Sequence, residues 1–370
     1  MRKLSQEKEV VQLAAVLQVD WRQNAVENII NLCQSKIASW LPKSSKLSSI
    51  QELERIVCQK LKLVFEMVWN DDDLTQIIRK YLNLGEPIFG TLKADLDDKT
   101  FATLIERRKV NASSPDRYVA VVDCRGVKAA RRFFTRWHEI AHLLTLHGQL
   151  ELPLHRSTKS PTERLMDAIA GEIGFFDPLF NPILVEEMRK EGRLSLTVVE
   201  SVRERFCPEA SFQATLNACV KRCGSPVVVL EVGLGLKKKE EKTLKSCQGE
   251  LIPSEPPKAK LRVLSVVGNK WATKSNLMIH RNMQVPTSSL IHKLYFQGDP
   301  NMVSEGAGYE NLAIWRHSDG TALGNIGMFI QAKKLQDSVV AIVTLSGFRK
   351  AVLQSPGSAH YLSELRRSGR

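Results

Sequence analysis

The sequence predicts an α+β chain: a core of a small sheet and two packed helices near residues 49–180, a helical pair to about 224, and a β-rich C-terminal part over 225–370. Three observations lead there. Short β-type runs alternate with helical periodicity up to about residue 180; two amphipathic helices then follow without a strand; past Gly224 the apolar runs become Val-rich and short. The chain has 370 residues, enough for two or three domains at roughly 150 residues each. Hydrophobic residues at 43% and charged residues at 25% sit near globular norms, which excludes a disordered or fibrous chain. The longest apolar runs, Ser225–Leu236 and Val339–Phe348, fall short of the roughly 20 residues of a membrane span, so no membrane partner is expected.

Residues 1–48 form a helical N-terminal extension, with Val10, Leu13, Ala14 and Leu17 at helical spacing and then Ala25, Ile29 and Leu32. Glu7, Lys8, Glu9 and Gln12 make its start amphipathic rather than a signal peptide. Ser48 or Ser49 caps a helix that buries Leu53, Ile56, Val57 and Leu61. A β-type run, Leu63–Val68, follows. Asn70 then opens a helix carrying Leu74, Ile77, Ile78 and Tyr81, ended by Gly85 and Pro87. Phe101–Arg107 and Tyr118–Asp123 read as strands, and Cys124-Arg-Gly126 turns into a long helix ending near His147, with Gly148 as its cap. The next helix, Thr162–Phe175, is stopped by Asp177-Pro178. Ser195 caps the first helix of the pair, and the second buries Phe212, Leu216, Cys219 and Val220. Val227–Val232, Arg262–Val267 and Val339–Leu345 are the C-terminal strands. The run Lys237–Lys242 largely neutralises itself and reads as a solvated loop. Seven scattered cysteines without a CxxC pair fit a reducing, cytoplasmic setting.

One stretch carries chemistry: His138-Glu139-Ile-Ala-His142, an H-E-x-x-H on a helix. Residues four apart share a helix face, about 6 Å between Cβ atoms, so both imidazoles can address one ion. Glu139 follows the first ligand and reaches the ion's water without binding the ion. Given eight histidines, chance produces such a motif in this chain on the order of once in a hundred. The bland alternative is two ordinary histidines on a partly buried helix.

A zinc peptidase needs a third ligand and an open fourth position. Thr145 and Gly148 exclude the pattern with Gly and a third His beyond the motif, and His147 lies about 140° round the helix from His142. The candidate is Glu163, early in the following helix; Glu172, about 180° away from it, is weaker, and a loop ligand at Glu151 stays open. Asp167, one turn after Glu163, can hydrogen-bond a ligand imidazole or be a plain surface carboxylate.

Arg132–Leu144, then Glu163-Arg-Leu-Met-Asp167-Ala-Ile-Ala170, then Phe175-Phe-Asp-Pro178 resembles the ImmA/IrrE family of metallo-endopeptidases. Phe134, Thr135, His138, Glu139, His142 and Leu144 fall in register with its motif, as do Glu163, Asp167 and Ala170. The resemblance implies a zincin-like metallopeptidase core over 49–180, Zn²⁺ held by His138, His142 and Glu163, and Glu139 as catalytic base. It also implies a helix-turn-helix-like segment at 181–224, a C-terminal domain in the place of the GAF-like sensor some members carry, and a protein substrate that is itself a DNA-binding repressor. Arg136 and Trp137 depart from the small or apolar residues usual before the first His, and the exit to Pro178 is two residues longer. Tyr118, His147 and His155 are candidate donors to the developing oxyanion. The rival expectation is a basic DNA-binding regulator, net charge +13, with a structural or vestigial zinc site and nucleic-acid contact through its basic surface.

Overall fold

A computed structural model describes residues 3–42, 47–108, 116–145, 160–237, 240, 258–297 and 304–346. It is mixed α+β, with two separate sheets. The expected helix end at His147 and Gly148, and with it Glu151 and His155, lies outside the described residues. The chain divides into two compact units. One takes Met1–Ile183 and Val202–Thr215, and the other Leu184–Ser201 and Leu216–Gln354.

In the first unit, β1 (Leu63–Val68), β2 (Ala102–Glu106) and β3 (Tyr118–Asp123) form a sheet of order β1-β3-β2. β3 lies in the middle, parallel to β1 with Leu63 opposite Tyr118, and antiparallel to β2 with Ala102 opposite Val122. A central strand covered on both faces needs apolar residues on both, which is why Val119-Ala-Val-Val runs without alternation and is wholly buried. One face packs on α4 (Asp71–Asn83) and the segment after it through Leu74, Ile77, Tyr81, Phe89 and Leu92. α4 opens with a reciprocal cap: Asn70 Oδ1 accepts from Asp73 N at 2.9 Å and Asp73 accepts from Asn70 N at 3.2 Å. α3 (Ile50–Leu61) starts at Ser49, whose hydroxyl accepts from Glu52 N at 3.2 Å, and buries Leu53 and Val57 while Ile56 and Leu61 stay half-buried.

On the sheet's other side lies α6 (Arg132–Thr145), entered through a 3-10 turn over Gly126–Arg131. Helices pack around it: α7 (Pro161–Ile173), α3, and α2 (Ala25–Trp40), with α1 (Lys8–Val16) behind on α2 and α7. Hence every residue of α6 from Trp137 to Thr145 is buried, which polar side chains tolerate only when paired or put to use. The N-terminal helices are thus packed directly on the two helices that carry the motif residues. Lys36 of α2 donates to Leu144 O at 3.3 Å, a cation on the carbonyl end of α6.

Asp177-Pro178 does not end a helix but opens one, α8 (Asp177–Glu191), because Pro in a first helical turn gives up an N–H that has no partner there anyway. The preceding helix closes at Ile173 and Gly174. α9 (Leu196–Phe206) is capped by Ser195, whose Oγ accepts from Val198 N at 3.1 Å, and α10 (Phe212–Arg222) follows. α8, α9 and α10 each contribute residues to both units.

The second unit is built on an antiparallel sheet of order β5-β4-β8-β7-β6. Its strands are β4 (Val227–Gly235), β5 (Lys260–Gly268), β6 (Glu305–Asn311), β7 (Gly327–Lys334) and β8 (Ser338–Leu345). Alternate residues of four strands, with Trp315 and Ile291, form its core. α11 (Lys270–Lys274) and α12 (Leu290–Gln297) complete it. Asn269 joins α10 to the sheet, donating to Cys223 O and Ser225 O at 3.0 and 2.7 Å while accepting from Ala272 N. No single described helix is long and apolar enough to cross a membrane. Among the described residues six cysteines, all but Cys58 buried, are free thiols.

Candidate metal centre

His138 and His142 lie one turn apart on α6, with ring centroids 4.9 Å apart and Nε2 atoms 3.1 Å apart. Glu163 comes to meet them from α7. Its position is fixed by the start of that helix: Ser160 Oγ accepts from Glu163 N at 3.1 Å and Pro161 takes the first helical position. The carboxylate therefore stands in the first turn, at the positive end of the helix dipole. Oε2 lies 3.0 Å from His138 Nε2 and Oε1 lies 3.3 Å from His142 Nε2. These three residues, all buried, form a group that can hold a metal ion.

Asp167, one turn along α7, places Oδ1 2.9 Å from His138 Nδ1. An ionised carboxylate only accepts, so Nδ1 carries a proton, and with a metal bound Nε2 of the neutral ring would present its lone pair to the ion. Nε2 faces the Glu163 carboxylate and the second imidazole. Contacts of 3.0–3.3 Å between these groups call for a proton or a cation between the atoms. The donor set, two imidazole nitrogens and one carboxylate oxygen, suits a borderline-soft divalent ion. Burial pushes the Glu163 carboxyl up, but hydrogen bonds and charge from His138 and His142 outweigh it and bring its pKa down to about 2.

Glu139 is 4% exposed, yet no hydrogen bond or ion pair holds its carboxylate among the described residues. Other buried carboxylates here are matched: Glu86 to Arg107 at 3.6 Å, Asp123 to Arg125 and Lys128 at 2.8 and 2.7 Å. A carboxylate left without a protein partner beside such a group is free to bond a water there.

Both departures from the resembled motif acquire partners. Arg136 reaches Glu54 of α3 at 2.7 Å and Glu209, before α10, at 2.8 Å, tying α6 to its surroundings. Trp137, fully buried, lies against Gly174, where a Cβ would meet its Cγ at 2.9 Å and Ala170 O at 2.8 Å. Gly174 has an ordinary φ of −71°, so it is needed for room rather than for conformation. Gly174→Ala is expected to cost about 1–3 kcal/mol by overpacking, read as a lower denaturation midpoint; replacing Trp137 by Leu as well should recover only part, since the clash with the carbonyl persists.

The structure thus brings together His138, His142, Glu163 and Asp167, and sets Glu139 beside them on α6. Glu172 is half-buried on α7 and outside the group. Tyr118 opens β3 with the Arg117 guanidinium over its ring. Sequence reading missed the support: Ser160 announced itself as Ser-Pro-x-Glu, a legible capping pattern, whereas Lys36 and Gly174 act through space and left no local signal.

Fold and site define an α+β protein with a buried two-histidine, one-carboxylate group suited to a metal ion. No sequence model of a known family matches the chain, and no curated protein matches it either.

Proposed function

We propose that the chain is a zinc-dependent endopeptidase of the ImmA/IrrE type, with a zincin-like core over 49–180, that cleaves a DNA-binding repressor protein. The observation that carries the reading is Glu139: a carboxylate with no hydrogen bond or ion pair among the described residues, on α6 beside the His138–His142–Glu163 group. A site serving structure alone has no use for it. The two Nε2 atoms stand 3.1 Å apart and each lies within 3.3 Å of a Glu163 oxygen, Oε2 for His138 and Oε1 for His142, so these three side chains would hold the ion and leave a position for water or substrate.

When bound, zinc supplies Lewis acidity, drawing the pKa of water towards about 7 and polarising the scissile carbonyl. The chain's own residues do the rest. Asp167 holds the His138 ring and its tautomer through Nδ1–H. Glu139 accepts the proton of the attacking water as the new C–O bond forms, and gives it to the amide nitrogen as the C–N bond breaks.

The test is incubation of the full chain with helix-turn-helix repressors from the same genome, with and without chelator, read by mass spectrometry. A single new terminus in the metal arm, absent with chelator, is the expected result. Absence of cleavage, with salt-sensitive DNA binding in a gel shift that survives metal removal, would instead favour the DNA-binding regulator.

A further inference from the structure

The metal centre leaves the surplus of thirteen positive charges unexplained. Part of it gathers in the second unit, around a cleft of about 790 Å³. Lys237 beyond the end of β4, Arg281 in the turn after β5 and Arg316 after β6 supply three permanent cations, and Arg262 on β5 adds a fourth that is paired with Glu240. His280 and His317 add two imidazoles, their centroids 5.9 Å apart, and no carboxylate is among the described lining residues.

The cleft is built rather than incidental. Arg262, 2% exposed, is locked by bonds to Gly235 O and Asn282 O at 3.3 and 3.2 Å and by Glu240 at 3.6 Å. The wall carrying His280 and Arg281 is laddered onto β5: Asn282 N donates to Val263 O at 2.8 Å and Val285 N to Leu261 O at 2.9 Å. The wall carrying Arg316 and His317 is a closed turn, with His317 N on Thr321 O at 2.8 Å and Arg316 Nη1 on Gly320 O at 2.9 Å. Anchored backbone therefore carries His280, Arg281, Arg316 and His317, and the Arg316 fork is itself held on Gly320 O, which lowers the entropy lost when an anion arrives.

We infer that this cleft binds a phosphate-bearing small molecule of nucleotide size. Guanidinium forks match phosphate oxygens in pairs. The volume falls within the roughly 300–1,000 Å³ of small-molecule sites. A single-stranded nucleic acid needs a continuous charged track with aromatic platforms; here the cations converge on one cavity, and no Phe, Tyr or Trp is among the described lining residues. The inference does not depend on the peptidase reading.

Isothermal titration of the full chain with inorganic pyrophosphate and with ADP tests it. Saturable binding that weakens as salt rises is expected, with R281E/R316E at least about tenfold weaker and its unliganded melting temperature unchanged. R281Q/R316Q, a milder change, should show the same direction if charge reversal perturbs folding. H142A should retain wild-type affinity. Unchanged affinity in both double variants, loss of binding in H142A, or an oligonucleotide single strand binding more tightly than ADP would each overturn the assignment.

Discussion

Glu139→Gln is expected to lower peptide hydrolysis roughly 10²–10⁴-fold, the range for removing a positioned general base, while zinc content stays at one per chain. Gln keeps the shape of the side chain and can hydrogen-bond water, but it cannot take the proton. The residue is 4% exposed and does not belong to the three-residue ligand group, so the substitution removes neither a ligand nor a packing contact of any size. Stability should hold, because Gln is close in size to Glu and no described hydrogen bond or ion pair of Glu139 is lost. Metal analysis, a denaturation curve and a cleavage assay on one preparation check all three points. Wild-type turnover by the variant would remove Glu139 from the chemistry, and loss of zinc would make it a ligand instead.

How much of this was legible follows from how local each determinant is. β1 and β3 were read at their observed bounds, because a six-residue apolar run between turn signals has few other fates. α3 and α4 were marked by Ser49 and Asn70 within three residues of their first bonds. The convergence of His138, His142 and Glu163 was legible for the same reason: i,i+4 spacing and a Glu in the first turn of the next helix are short-range facts. β6 was not legible. Glu-Gly-Ala-Gly-Tyr-Glu-Asn has neither alternation nor β-branched residues, and it is a strand because β7 pairs with it along its whole length. α8 was missed because Asp177-Pro178 was read as a stop, when the same dipeptide is equally a start. Arg136 and Trp137 looked like local departures from a motif. Their reasons, Glu54, Glu209 and Gly174, lie 82, 73 and 37 positions away.

The second large effect concerns the ion itself, and it separates a metal centre from a hydrogen-bonded cluster of the same three side chains. His142→Ala is expected to abolish stoichiometric zinc, since two remaining donors do not make a closed site. Asp167→Asn should weaken zinc about 10–100-fold without abolishing it: the amide no longer fixes the Nδ1–H tautomer of His138, yet all three donors stay. Glu139→Gln should leave affinity at the wild-type value, which gives the order wild type, E139Q, D167N, H142A. Linkage turns that order into a thermal readout. Zinc at about 100 times its Kd stabilises the native state by ~2.7 kcal/mol, or roughly 5–10 °C in a unit of this size. Wild type and E139Q should show that rise, D167N should need more zinc for it, and H142A should show none. A hydrogen-bonded cluster predicts another pattern. Zinc would shift no melting curve, and H142A would destabilise the protein with or without metal, because Glu163, whose Oε1 sits 3.3 Å from His142 Nε2, would lose a bond that helps hold its carboxyl ionised. In a metal centre H142A loses that same bond in chelator, so the two readings separate only through the ion: zinc raises the wild-type melting curve and leaves that of H142A where it was. The zinc-dependent shift of the wild type, reversed by chelator, decides between the two.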